Sequence, residues 1–218
     1  MKPKFLSIGI AAAFLLLFAT AAPAQNKFAL KTNLLHDATA TIDLGLEFAF
    51  APRWTAEISG SFHPKAFDVF GDMKLQHMYA QPEVKYWFCE SFHGAFIGLH
   101  AMVGRFTVGC FPLDLSDKFP NGVNFKNFGL DGRFSIGGGL NVGYALMLGR
   151  HRNLEFELGL GYLYARGDEY ELTANAAGTP TFNPSDATWK AANKPTYENY
   201  HYDYVGPTNL AISLVYIF

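Results

Sequence analysis

The sequence predicts an all-β chain: an eight-stranded antiparallel up-and-down transmembrane β-barrel with a polar, filled lumen. Three observations carry that prediction. Apolar residues recur with a period of two from end to end. The connections between these stretches alternate between tight turns and long loops. The chain closes on LAISLVYIF (210–218), an unbroken alternation where a frayed polar tail is the ordinary expectation.

Taken in order, the strands show the same two faces. The first, over 28–35, sets Phe28, Leu30 and Leu34 against Lys31 and Asn33. The second, 43–50, sets Leu44, Leu46, Phe48 and Phe50 against Gly45, Glu47 and Ala49, and the third, 54–62, sets Trp54, Ala56, Ile58 and Phe62 against Thr55, Glu57, Ser59 and Ser61. The fourth, 77–88, opposes Met78, Val84, Tyr86 and Phe88 to His77, Tyr79, Gln81, Glu83, Lys85 and Trp87. The fifth, 95–105, aligns Ala95, Ile97, Leu99, Ala101 and Val103. The sixth, 133–146, has Phe134, Ile136, Leu140, Val142 and Tyr144 against Ser135, Asn141 and glycines, and the seventh, 154–166, has Leu154, Phe156, Leu158, Leu160, Tyr162 and Tyr164 against Glu155, Glu157, Gly159 and Gly161. The eighth runs over 204–218. Tight turns at 51–53, 90–94 and 149–153 belong to one rim, and long loops at 63–76, 106–132 and 167–203 to the other. That asymmetry matches outer-membrane barrels.

The polar face decides which side meets what. It carries Lys31, Glu47, Glu57, Glu83, Lys85, Glu155 and Glu157, and Arg105 and Arg133 are assigned to it as well. The first hairpin opposes Glu47 to Glu57, an unfavourable pair unless a cation bridges it. Lys85, on the following strand, is the candidate bridge. An eight-stranded ring leaves an interior that side chains can fill. These groups are therefore expected to form a polar network in the lumen, with the uncharged apolar face toward lipid. Backbone in hydrocarbon must close all its hydrogen bonds, so the last strand must pair with the first.

Residues 1–24 read as a signal peptide: Lys2 and Lys4, an apolar run, then Ala22-Pro23-Ala24 before Gln25. Residues 25–218 form the barrel domain. With 17 basic and 19 acidic residues and no basic run, the chain has no electrostatic footprint for nucleic acid. A strand separates Cys89 from Cys110, so no disulfide is expected.

The chain carries few signs of reaction chemistry. No H-E-x-x-H, C-x-x-C or G-x-S-x-G occurs, and the Gly137–Gly139 run lies within a strand, where it makes room for bulky neighbours. No catalytic residue, cofactor or metal site is assigned. The long loops are the candidate working surface. Tyr170, Phe182, Trp189, Tyr197 and Tyr200 suit contact with an extracellular protein or glycan, or a self-packed cap.

The alternation ending in Leu210, Ile212, Leu214, Tyr216 and Phe218 resembles the signal by which the barrel-assembly machinery recognises its clients. ALKTNLLHDATATIDLGLEFAFAPRWTAEISG (29–60) and QPEVKYWFCESFHGAFIGLHA (81–101) resemble the DUF3575 family of Bacteroidetes outer-membrane proteins. The resemblance implies a cell outer membrane location, contact with its lipid, and an association with surface-fibre assembly. It implies no catalytic residue. The expected function is a non-enzymatic surface protein whose loops bind a partner or support the envelope. The alternatives are a secreted lipocalin-like carrier of a small apolar ligand and a lipid-A-modifying enzyme.

Overall fold

A computed structural model describes residues 27–63, 74–110, 127–173 and 181–218. The expected leader over 1–24 lies outside the described residues. Among the described residues, eight strands form one antiparallel sheet: β1 (Phe28–Asn33), β2 (Ile42–Ala51), β3 (Trp54–Phe62), β4 (Lys74–Trp87), β5 (Gly94–Gly109), β6 (Phe128–Met147), β7 (Arg152–Glu171) and β8 (Tyr197–Ile217). Each strand pairs with its sequence neighbour, and β8 pairs with β1, so the sheet closes in a ring. Closure explains the regular C-terminal strand. Lys31 lies opposite Val215 and Ala29 opposite Ile217, and the Phe218 N–H donates to the Phe28 carbonyl at 2.8 Å.

The first hairpin has the expected register, with Leu46 opposite Ile58, Glu47 opposite Glu57 and Phe48 opposite Ala56. It departs only at the turn. An irregularity between Ala49 and Ala51 pairs Trp54 with Ala51 in place of Phe50. β1 is shorter than expected, because Asn33 caps a short helix, α1 (Leu34–Ala38), by accepting the Leu35 N–H.

The strands at the long-loop rim reach further than alternation indicates. β5 continues to Gly109, β6 starts at Phe128, β7 runs to Glu171 and β8 starts at Tyr197. Bulges conceal these extensions. The register of β6 shifts at Arg133 against both neighbours, and that of β7 with β8 shifts at Gly159/Leu160 and at Gly167/Glu169. Each extra residue reverses which parity faces in, so a period-two reading stops there.

The faces are sorted as an inside-out protein. Ile58, Leu99, Leu140, Leu158 and Leu210 are exposed at 45–67%. Glu47, Glu57, Lys85, Glu155 and Glu157 are exposed at 0–7%. Arg105 and Arg133, assigned by sequence to the interior, are exposed and correct that reading. Arg105 lies in phase with outward Val103, and the bulge at Arg133 turns its side chain out beside Phe134.

Candidate functional site

The interior is built in layers. Nearest the short-turn rim is an aromatic plug. Trp87 and Phe96 are fully buried with ring centroids 4.6 Å apart, Phe92 packs beside them, and the Trp87 indole N–H donates to Thr55 Oγ1 at 2.9 Å. Gly143 makes room for this layer, because a Cβ there would meet the Phe96 ring and the Phe156 carbonyl.

Above the plug lies a belt of charge. Lys85, from β4, places Nζ 2.7 Å from Glu57 and 2.8 Å from Glu155, with Glu47 and Glu157 both at 3.5 Å. Lys31, from β1, reaches Glu57 at 3.0 Å, Glu157 at 3.5 Å, and Glu155. Two ammonium groups thus tie carboxylates of β2, β3 and β7 across the ring. The Lys85 ammonium also sits 4.8 Å above the Phe96 ring. Glu157 accepts from the side-chain amides of Asn141 and Asn209. Glu83 stands apart, with one buried carboxylate oxygen lacking a hydrogen-bond partner, and its side chain fills the space left by Gly98. Lys31, Glu47, Glu57, Glu83, Lys85, Glu155 and Glu157 are thus all brought inside.

Glu47, Glu57 and Glu155 offer oxygens within 4.8 Å of one another, the spacing of a metal cage. The Lys85 ammonium contacts all three of these carboxylates and the Lys31 ammonium contacts Glu57 and Glu155, so the lysines supply the positive charge that a cation would bring. The space beside the belt, between Lys31, Glu57, Tyr79 and Asn209, is about 20 Å³, enough for about one water.

A third layer, near the long-loop rim, was not read from the sequence. His36, His63 and His77 gather there, with ring centroids of His77 5.9 Å from His36 and 5.8 Å from His63. Ser61 Oγ lies 3.1 Å from His77 Nε2, and Asp43 lies 3.1 Å from His36 Nδ1. The composition suggests a hydrolytic triad, but the connectivity does not. Asp43 and Ser61 approach the same nitrogen of His36, so the acid does not orient an imidazole whose other nitrogen faces the hydroxyl. His36 lies in α1, His63 just after β3 and His77 within β4, so only the fold brings the three together.

The loop aromatics divide. Tyr170 and Phe182 are buried and pack with Trp189, Leu172 and Cys110, with the three rings 5.2–5.7 Å apart. Phe182 sits over Gly109 and Gly129, where any Cβ would strike its ring. Trp189 belongs to a second short helix, α2 (Ala187–Ala192), capped by Asp186. Tyr170 and Phe182 therefore hold the rim together and are not presented for contact. Tyr197 and Tyr200 remain exposed, with rings 5.8 Å apart. Cys89 is exposed, whereas Cys110 is buried within this cluster.

A family model described as a protein of unknown function (DUF3575) matches residues 10–218. The chain belongs to the DUF3575 family. No curated protein matches it. Family membership covers the whole ring and its charged belt and carries no assigned chemistry.

Proposed function

We propose that this DUF3575 member is a non-enzymatic outer-membrane β-barrel, whose long-loop rim engages an extracellular partner or supports surface-fibre assembly. The observation that carries the reading is the inversion of faces: apolar side chains exposed all round, carboxylates and lysines sealed within. In water that exterior would be one contiguous apolar patch, far beyond what soluble monomers expose. In a bilayer it is the lipid face. The outward stretch of β7 from Leu154 to Tyr164 covers about 25 Å at the usual strand rise and tilt, the height of an outer-membrane apolar band.

An outward aromatic belt at the short-turn rim supports it. Phe28, Phe48, Phe50, Trp54, Tyr86 and Phe88 run ring to ring at 5.1–6.4 Å, with Tyr216 and Phe218 5.0 Å apart beside them. Tyr162 and Tyr204 stand exposed toward the other rim. This is the two-girdle pattern of interfacial aromatics. Both ends of the ring, Phe28 and Ile217, share the short-turn rim, which the proposal places in the periplasm. The carrier alternative needs an apolar cavity of several hundred Å³, whereas the space beside the belt is charged and about 20 Å³.

Membrane fractionation tests this. The chain should stay with the membrane pellet after high salt and alkaline washes and require detergent for release. Recovery in a soluble periplasmic fraction would sink the proposal. Surface protease should cleave between β7 and β8 in intact cells and leave the ring protected.

A further inference from the structure

We infer that an outward groove at the long-loop rim binds the phosphorylated headgroup of an outer-leaflet lipid. The inference rests on the membrane reading above and adds a ligand class to it. The groove measures about 420 Å³ and is lined by Arg105, Arg133 and Lys190, with Asp131, Phe62 and Met78.

Its position comes from one irregularity. At the β6 bulge, Arg133 is the extra residue, set between Gly132, opposite Phe106, and Ser135, opposite Gly104. Bulges re-aim side chains. Here the effect is to bring Arg133 of β6 to the level of Arg105 on β5, and Arg166 of β7, opposite Phe134, continues the same row. Three exposed arginines on adjacent strands thus mark one height on the outer face. The apolar band begins immediately below them: Met78, which pairs with Arg105, Val103, Phe134 and Ile136 are all 43–48% exposed.

Charge and polarity identify the occupant. Lys190 pairs with Asp131 at 2.8 Å, and Arg133 pairs with buried Asp168 while its side chain stays 58% exposed. Arg105 has no ion-pair partner among the described residues. Among the described residues the groove therefore keeps net positive charge after its own pairs are counted. Guanidinium groups present forked donors that match phosphate oxygens. An apolar wall on the lower side and cations above form an amphipathic seat, in which a phosphate rests in the groove and acyl chains follow the band. A soluble anion would make no use of Phe62, Met78 or the band.

The full-length folded chain in neutral detergent should be titrated with phosphatidic acid, phosphatidylcholine and inorganic phosphate, counting bound molecules by native mass spectrometry. Phosphatidic acid should bind most tightly. Arg105→Gln with Lys190→Gln should weaken it on the order of tenfold while leaving phosphatidylcholine unchanged, and Arg105→Lys, which keeps the charge but not the fork, should weaken it less than Arg105→Gln. Should the double variant fail to fold, Arg105→Gln alone carries the test, since it breaks no ion pair. Equal retention of the two lipids, or an unchanged double variant, overturns the inference. Inorganic phosphate binding as tightly as phosphatidic acid assigns the groove to a soluble anion and overturns it too. Flotation with phosphatidylcholine vesicles separates the two readings. A chain that does not float has failed the membrane reading and this one with it, whereas a chain that floats without phosphate preference has failed this one alone.

Discussion

Lys85→Met is the sharpest probe of the charged belt. The side chain is fully buried, and its ammonium lies within 3.5 Å of four carboxylates. Methionine keeps most of the volume and removes the charge. The carboxylates left behind are Glu47, Glu57, Glu155 and Glu157, and Lys31 contacts only the last three. Glu47 loses its sole ammonium neighbour among the described residues. Removing one partner of a buried pair typically destabilises by about 3–5 kcal/mol, because uncompensated charge stays sealed inside. A solvated surface lysine would change stability by about 1 kcal/mol or less. The assay is urea unfolding of the refolded chain in detergent or lipid, followed by tryptophan fluorescence, with Trp87 reporting from the layer below. Lys85→Met combined with Glu155→Gln should recover part of the loss, since the double change removes one charge of each sign. The coupling between the two sites should exceed about 1 kcal/mol. A loss below about 1 kcal/mol for Lys85→Met, or strict additivity in the pair, would refute the network.

Other outcomes follow from the same structure. Leu140→Arg places a charge on the outward face at 67% exposure. If this face meets lipid, as proposed, the change should destabilise the chain by about 2–4 kcal/mol, whereas a water-facing site would be nearly neutral; denaturant unfolding in vesicles measures the loss. Gly98→Ala drives a Cβ into the Glu83 carboxylate and should cost about 1–3 kcal/mol by denaturant unfolding, with Glu83→Ala relieving it. Trp189→Ala removes one ring of the Tyr170–Phe182–Trp189 cluster. Limited proteolysis should then cut sooner around α2, with ring unfolding unchanged. Asp186 accepts from the Thr188 hydroxyl and backbone N–H, which hold its carboxyl below the usual range. A depressed folded value contributes stability above the unfolded value that is lost as pH falls through the folded one. The α2 segment should therefore become protease-sensitive in acid before the ring does, and Asp186→Ala should abolish that pH dependence.

Period two, the alternation of turn lengths and the regular C-terminal strand were enough to specify a closed antiparallel ring of eight strands. They were also enough to place the two lysines and five glutamates of the polar face inside, because side-chain direction in a regular strand follows from parity alone. Glu47 opposite Glu57 follows from a three-residue turn and simple counting. What failed was parity beyond a bulge. Arg133 inserts one residue, and from there the alternation no longer says which side chains face out. Arg133 was misplaced for that reason, and the extensions of β5 to β8 passed for loop; Arg105 was misplaced against the alternation itself, since it lies in phase with outward Val103. The histidine layer escaped for a different reason. His36, His63 and His77 belong to three separate segments, and their approach depends on hairpin register and on the α1 turn.

Local alternation therefore determined the strands, their order and the two faces, since each of those depends only on residues a few positions apart. Tertiary structure decided that Lys31 shares these carboxylates with Lys85, which tyrosines are buried and where the arginines converge. Those are contacts between strands distant in sequence, set by ring closure and by bulges, and no window along the chain contains both partners.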